Sequence, residues 1–260
     1  MTGASIKELS DLDDLHELAE LFAVVWGRPG EPPISSDVLK ALAHSGNYVC
    51  GSYLSGKLVG GLVGWFGGMP PQDLHLHSHI LGVTAGSEAH GLGFELKQHQ
   101  RRWCLERGVK VIQWTTDPLV RRNVYFNVTK LGARATGYLT NVYGVMTDGI
   151  NAGEESDRLL ITWSLDSPSA GAEPNVDDLT RAGAVTVLSI GAAGEPVAAQ
   201  AAVARVLLCQ VPDDIVVLRR EDPSLARAWR TAVRKVIGGA VEAGYEVSGA
   251  TRSGWYVLES

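Results

Sequence analysis

The 260 residues predict a mixed α/β fold with a partly antiparallel sheet flanked by helices, on three observations. Short runs in which apolar side chains recur at every second residue mark strands, and longer runs in which they recur at three and four mark helices. Glycine, proline, asparagine or aspartate punctuates most boundaries between them. Up to about residue 165 the runs follow the order β-α-α-β-β-β-α-β-α-β-β. Strands joined by short turns pair antiparallel, whereas strands joined across a helix can pair in parallel.

Ile6-Lys7-Glu8-Leu9 forms a first short strand, and Ser10 followed by Asp13 reads as a capping box. The helix after it carries Leu15, Leu18, Ala19, Phe22, Val25 and Trp26 on one stripe and stops at Gly27 and RPGEPP. Ser36 or Asp37 opens a second helix, ended by Gly46. NYVCGSYLSG and KLVGGLVGWFGG are strands joined at Ser55-Gly56, a plausible hairpin turn. DLHLHSHILGV is the next strand. The glycine-rich TAGSEAHGLG then precedes a helix, FELKQHQRRWCLERG, with Leu96, His99, Gln100 and Trp103 on one side and Gly108 at its end. A strand runs from Val109 to Thr116, and a helix from Pro118 to Leu131 follows, with Asp117 as N-cap. ATGYLTNVYGVM and DRLLITWSL complete a first domain over residues 1–165.

DSPSAGAEPNV, residues 166–176, reads as a linker, and 177–260 as a C-terminal α/β extension. The extension holds the strands AVTVLSI and ARVLLCQVP, one long helix opened by Asp222 and Pro223, and the final strands YEVSGATRS and GWYVLES. Ala226, Trp229, Val233, Ile237 and Ala240 form that helix's apolar stripe. Arg219, Arg220, Arg227, Arg230, Arg234 and Lys235 make the segment locally basic, the pattern of a solvated face.

A hydrophobic content of 45% is enough for a buried core. The formal net charge of −6, with no long basic run, disfavours nucleic acid or an anionic membrane as the main partner. A small molecule or a protein fits better. The first twenty or so residues lack the basic and apolar regions of a signal peptide, and no run approaches a membrane span, so the cytoplasm is the expected location. Cys50, Cys104 and Cys209 are odd in number and without CxxC spacing, as expected of reduced thiols.

Two stretches carry chemistry. His75, His77 and His79 share one face if their segment is a strand. Such a row could bind a metal, transfer protons or simply pack. A catalytic zinc needs a third well-placed ligand that one strand cannot wrap around an ion, whereas an imidazole with a pKa near about 6.5 suits proton transfer at neutral pH. Ser78 alternates away from the histidines, which weakens a hydrolase reading. Gly91-Leu92-Gly93, at the start of a helix, could present backbone N–H groups to a pyrophosphate or be a tight turn. It is neither the dinucleotide fingerprint, since position 96 is Leu, nor a Walker A loop.

With these residues in view, the chain resembles the GCN5-related N-acetyltransferase (GNAT) superfamily over roughly residues 5 to 165. The element order matches, and Glu88-Ala89-His90-Gly91-Leu92-Gly93 stands where the family has (Arg/Gln)-x-x-Gly-x-(Gly/Ala) after the fourth strand. KLGA, ending at Ala133, stands where the family often has Gly-Phe. HSHILGV, WTTDPLVRRNVYFNVTKLGA and SDRLLITWSL look like a subgroup of bacterial predicted acyltransferases, some of whose relatives are linked to N-succinylation of amino acids.

The resemblance implies a GNAT-type sheet and an acyl-CoA-dependent N-acyltransferase. Its co-substrate is acetyl-CoA or another acyl-CoA, with no metal; its acceptor is a small-molecule amine, and a homodimer is compatible. Leu81, Gly82 and Val83 would pair with the pantetheine arm, and amides of Ala89, His90, Gly91, Leu92, Gly93 and Phe94 would hold the pyrophosphate. His77 and His79 lie at the offset of a His-x-His pair associated with proton removal in arylalkylamine N-acetyltransferases. Glu88 replaces the usual Arg or Gln, and Val128 falls on the frequent general-acid tyrosine, leaving Tyr143 or Tyr125 as substitutes. Asn123 and Asn127 could bond CoA or be helix polars. Asp117 could grip the acceptor amine or cap a helix, and Arg158 could bind a substrate carboxylate or make a surface salt bridge. A non-catalytic acyl-CoA-binding module is the alternative, favoured by Glu88 and Val128.

Overall fold

The computed structural model describes residues 3–69, 73–86, 91–144, 155–166, 171–199 and 204–260. In chain order these form β1 (Ser5–Glu8), α1 (Leu12–Val25), α2 (Ser36–His44), β2 (Tyr48–Leu54), β3 (Lys57–Gly67), β4 (His75–Val83), α3 (Leu92–Glu106) and β5 (Val111–Thr116). There follow α4 (Arg121–Val124), continued by a π-helical turn (Tyr125–Lys130), β6 (Arg134–Leu139), β7 (Arg158–Ser164), α5 (Val176–Arg181), β8 (Val185–Ile190), β9 (Pro196–Ala198) and β10 (Val206–Gln210). The chain ends with α6 (Ile215–Glu221), α7 (Pro223–Val233) prolonged through a π-helical stretch (Arg234–Gly238) into α8 (Gly239–Glu242), then β11 (Glu246–Ala250) and β12 (Trp255–Glu259). The architecture is the expected mixed α/β one, with strands that pair mostly antiparallel.

The chain divides into two compact units, the first ending at Trp114 and the second beginning at Thr115, inside β5. In the first unit the strands lie in the order β1-β2-β3-β4-β5. Ser55 (φ 50°) and Gly56 (φ 79°) turn β2 into β3, the two positive φ values a two-residue hairpin demands. α1 and α2 cover one face: Leu15, Leu18, Phe22 and Leu39 pack with Val49, Val63 and Ile80. Glycine lets α1 come close, for a Cβ on Gly82 would stand 3.0 Å from both Phe22 and Trp26. The cap of α1 is Asp11, whose side chain accepts the Asp13 N–H, instead of the expected Ser10. On the other side α3 buries Leu92, Leu96, Lys97, Gln100, Trp103 and Cys104.

The second unit orders its strands β7-β6-β11-β12-β10-β8-β9. β6 and β11 join antiparallel at Val247↔Ala135, so the C-terminal strands continue from the β6–β7 hairpin. The helix expected from Pro118 begins only at Arg121. Asp117 accounts for the delay: its carbonyl accepts the Val120 N–H at 3.2 Å and its Oδ1 the Leu119 N–H at 2.9 Å, closing a turn first. α5, β9 and α6 are additions to the predicted extension. Asp222 and Pro223 do open α7, the Asp222 carboxylate accepting the Ser224 and Leu225 N–H groups. All three cysteines are buried free thiols. Among the described residues no helix is long and apolar enough to cross a membrane.

Candidate active site

β4 organises the histidines. Its register against β3 shifts by one: consecutive Val63 and Gly64 face Ile80 and Ser78, leaving His79 as the extra residue of a bulge. Up to His79 the odd-numbered side chains share the face of α1 and α2. After it Ile80 takes that face, and Leu81 turns toward α3, where a Cβ on Gly93 would lie 3.6 Å from it. The bulge therefore keeps the imidazole row while changing which face the next residues present. On the other ladder β4 meets β5 at only two pairs, Leu76↔Ile112 and His77↔Gln113. Between Ser78 and Val83 that ladder does not continue.

The imidazoles pack against one indole. Trp65, the cross-strand partner of His77, has its ring 5.2 Å from the His77 ring and 4.5 Å from that of His79, and the two imidazoles lie 5.7 Å apart. Loss of hydration holds His77 at a pKa of about 4, helped by the positive potentials of His79, His75 and Lys97. Desolvation lowers that of His79 too. Both are neutral bases at pH 7. Among the described residues His79 has no hydrogen-bond partner. His75 is apart from this cluster, its Nδ1 3.1 Å from the Asp73 carbonyl. Among the described residues no three of His, Cys, Asp and Glu gather as a metal-binding group.

A cleft of about 500 Å³ opens beside this cluster. Its aliphatic side comes from Val38 and Leu42 of α2 with Pro33 and Ile34 before it, its aromatic side from Trp65 and Phe66 at the end of β3. Asn47 and His79 are its polar members. The Asn47 amide is engaged at both ends, accepting the Phe66 N–H at 3.0 Å and donating to Ser45 Oγ at 2.9 Å.

Beneath the histidines, on the α3 side, lies a buried lysine. Lys97 Nζ donates to Ser78 Oγ at 2.8 Å and sits 3.7 Å from the centre of the Trp114 ring. Burial lowers its pKa to about 7. Ser78 is thus bonded away from the imidazoles, as its alternation predicts. At the start of α3, Gly91 is the N-cap in the left-handed region (φ 72°), and its carbonyl accepts the Phe94 and Glu95 N–H groups. The amides of Leu92 and Gly93 precede the first intrahelical donor, the Phe94 N–H. Leu92 is buried and Phe94 is 38% exposed. Ala89 and His90, with Glu88, lie outside the described residues.

The remaining predicted residues belong to the second unit. Asp117 is buried, and both its oxygens are taken: Arg230 binds it through two nitrogens at 2.9 and 2.8 Å and Arg219 at 2.7 Å. Burial alone would raise its pKa, yet the Arg230 charge and bonds, then Arg219 and the Leu119 N–H, bring it to about 2. Arg219 and Arg230, expected on a solvated face, are instead buried by this carboxylate. Arg158 is buried as well, contrary to a surface salt bridge; it donates to the Asp157 carbonyl at 2.8 Å and lies 5.5 Å from the Tyr143 ring centre. Tyr143 is exposed, its hydroxyl 3.4 Å from Thr115 Oγ1. Tyr125 donates to Glu173 at 3.3 Å. Asn123 is exposed, Asn127 and Val128 are buried.

Sequence reasoning missed Trp65, the α2 wall of the cleft and Lys97. The available signals were two aromatics closing a glycine-rich strand, and a lysine spaced three residues from Gln100 and seven from Cys104 on the same helix.

No protein-family model and no curated protein matches the chain. Solved structures do. An acetyltransferase of the GNAT family from Streptococcus pneumoniae superposes with a TM-score of 0.51 at 15% identity, over 65% of this chain and 99% of that one. The structure of yncA from Salmonella typhimurium with its cofactor acetyl-CoA gives 0.51 at 18% identity, over 66% and 98%. An N-acetyltransferase from Staphylococcus aureus gives 0.50 at 16%, over 63% and 99%. The fold is that of GNAT acetyltransferases.

Proposed function

We propose that the chain is an acyl-CoA-dependent N-acyltransferase that moves an acetyl or succinyl group to the amine of a small molecule, amino acids being among the candidates. The observation that carries this reading is His79, a neutral imidazole without a partner among the described residues, set by a bulge in β4 at the mouth of a cleft. An ammonium has no lone pair, so an acceptor must lose a proton to react, and that role is assigned to His79, with His77 as a second neutral base in ring contact.

Bound acyl-CoA would supply an activated thioester carbonyl. The residues assigned to that group are the first-turn amides of α3 at Leu92 and Gly93, with Gly91, Phe94 and, outside the described residues, Ala89 and His90, for the pyrophosphate, and the stretch Leu81-Gly82-Val83, where the ladder to β5 has ended, for the pantetheine arm. Gly93 carries no side chain into that helix start. In the transfer the acceptor nitrogen forms a bond to the acyl carbon, the C–S bond breaks, and the electron pair leaves on sulfur. His79 retains the proton until thiolate or solvent takes it. A thiol of pKa about 8.5 is a good enough leaving group to need no dedicated acid; Tyr143, exposed, is the candidate donor where one acts. Asn123 and Asn127 are assigned to CoA. For an amino-acid acceptor, Arg158 is assigned to the carboxylate and Asp117 to the amine, although the two guanidinium groups on Asp117 favour a structural role for it.

The acyl-CoA chemistry is assigned to residues 1–165, with 166–176 as connector and 177–260 as an extension; the β6–β11 ladder supports an extension that lengthens the sheet. Binding without transfer is a second reading, favoured by the buried, apolar Val128 at the position of the family's frequent acid. Calorimetric titration with acetyl-CoA and succinyl-CoA, then thiol release over an amine panel, decides between them. Tight binding with turnover is expected; binding without turnover of any amine selects the second reading, and no binding of either thioester removes both.

A further inference from the structure

The walls of the cleft bear on the kind of amine it takes. We infer that the acceptor is an apolar primary monoamine, one ammonium on an aromatic or branched aliphatic body, and this rests on the acyltransferase reading of the same site. Among the described residues no carboxylate and no cation lines the cleft. Its one amide, Asn47, has one lone pair and one N–H taken by Phe66 and Ser45, so its second N–H and the His79 imidazole are the polar groups that meet a ligand. Opposite stand Ile34, Val38 and Leu42 on one side and Trp65 and Phe66 on the other.

Val38 is 46% exposed, so apolar surface waits uncovered on the α2 wall. A ligand that covers it gains by removing apolar area from water. The volume of about 500 Å³ suits a small molecule. Charge decides against other amines. A polyamine or aminoglycoside would bring further ammonium groups to a wall with no carboxylate, and an amino acid would bring a carboxylate to a wall with no cation. Each would lose hydration without a partner. A monoamine has a single charge, and that charge disappears when its proton passes to His79.

The test measures kcat/KM with acetyl-CoA for phenylethylamine, isoamylamine, spermidine, tobramycin and phenylalanine, and in parallel the binding of each amine without acyl-CoA by saturation-transfer NMR. Phenylethylamine and isoamylamine should exceed the other three at least tenfold and be the ones that bind. Val38→Glu, an exposed helix position that can change without loss of the core, should lower kcat/KM for phenylethylamine at least fivefold and raise that for spermidine. A preference for spermidine, tobramycin or phenylalanine, or a Val38→Glu profile identical to wild type, overturns the inference while leaving acyl transfer standing. Selective binding of the two monoamines with no turnover of any amine supports the cleft's selectivity and instead sinks the transferase reading.

Discussion

The first unit gathers imidazoles around Trp65, and the second gathers guanidinium groups around Asp117. Both clusters join ionisable side chains, yet they are opposite in what they leave open. Around Asp117 the acid's two oxygens accept from Arg219, Arg230 and the Leu119 N–H, all away from water. Around Trp65 the groups are neutral bases, and His79, without a side-chain hydrogen-bond partner among the described residues, lines a cleft. A saturated buried cluster holds a fold in place, because each member is costly to leave alone. An unsaturated one beside an opening can exchange a proton with something that enters.

Breaking the saturated cluster should have the largest effect. Asp117→Asn leaves two buried guanidinium groups without their carboxylate and should cost about 3–5 kcal/mol of stability, read by urea unfolding; a loss under about 1 kcal/mol would remove the cluster from the fold's supports. In the wild-type protein the depressed Asp117 pKa means that its contribution is present above the unfolded value of about 3.9 and is lost as pH falls through about 2.

His79→Gln should instead leave stability nearly unchanged and lower kcat on the order of 10²-fold, the usual worth of a general base, with CoA affinity retained. The acidic limb of the wild-type pH–rate profile should lie below pH 6.5, since desolvation lowers both imidazoles and the base must be unprotonated. A limb centred above 6.5, or an unchanged rate in the variant, would take His79 out of the mechanism.

Lys97 sharpens the contrast through the pH dependence of stability. Its folded pKa of about 7 lies below the unfolded value of about 10.4, so the unfolded chain holds more protons between them. Stability should therefore rise with pH through this window, by at most about 1.4 kcal/mol per pH unit. Lys97→Met keeps the volume and should flatten that slope in urea unfolding at pH 7 and 9. A slope preserved in the variant would assign it to other groups.

The two clusters also differ in how far the sequence reveals them. The histidine row follows from two-residue spacing alone, because strand geometry is local. The Asp117 cluster does not, since its arginines come from residues more than a hundred positions away, and a basic run on a helix reads locally as a solvated face. Capping was partly legible: Asp222 with Pro223 opens α7 as expected, whereas Asp117 begins a turn because its carboxylate is drawn to Arg219 and Arg230.

By itself the sequence determined the order of strands and helices through residue 165, the Ser55-Gly56 turn, the imidazole row and the glycine at the start of α3, all set by periodicity and turn chemistry within a few residues. Tertiary structure decided the bulge at His79, the short β4–β5 ladder, the cleft between α2 and the end of β3, and the burial of Lys97, Arg219 and Arg230. These depend on which elements pack together, and a side chain's hydration and pKa follow from neighbours that local sequence does not name.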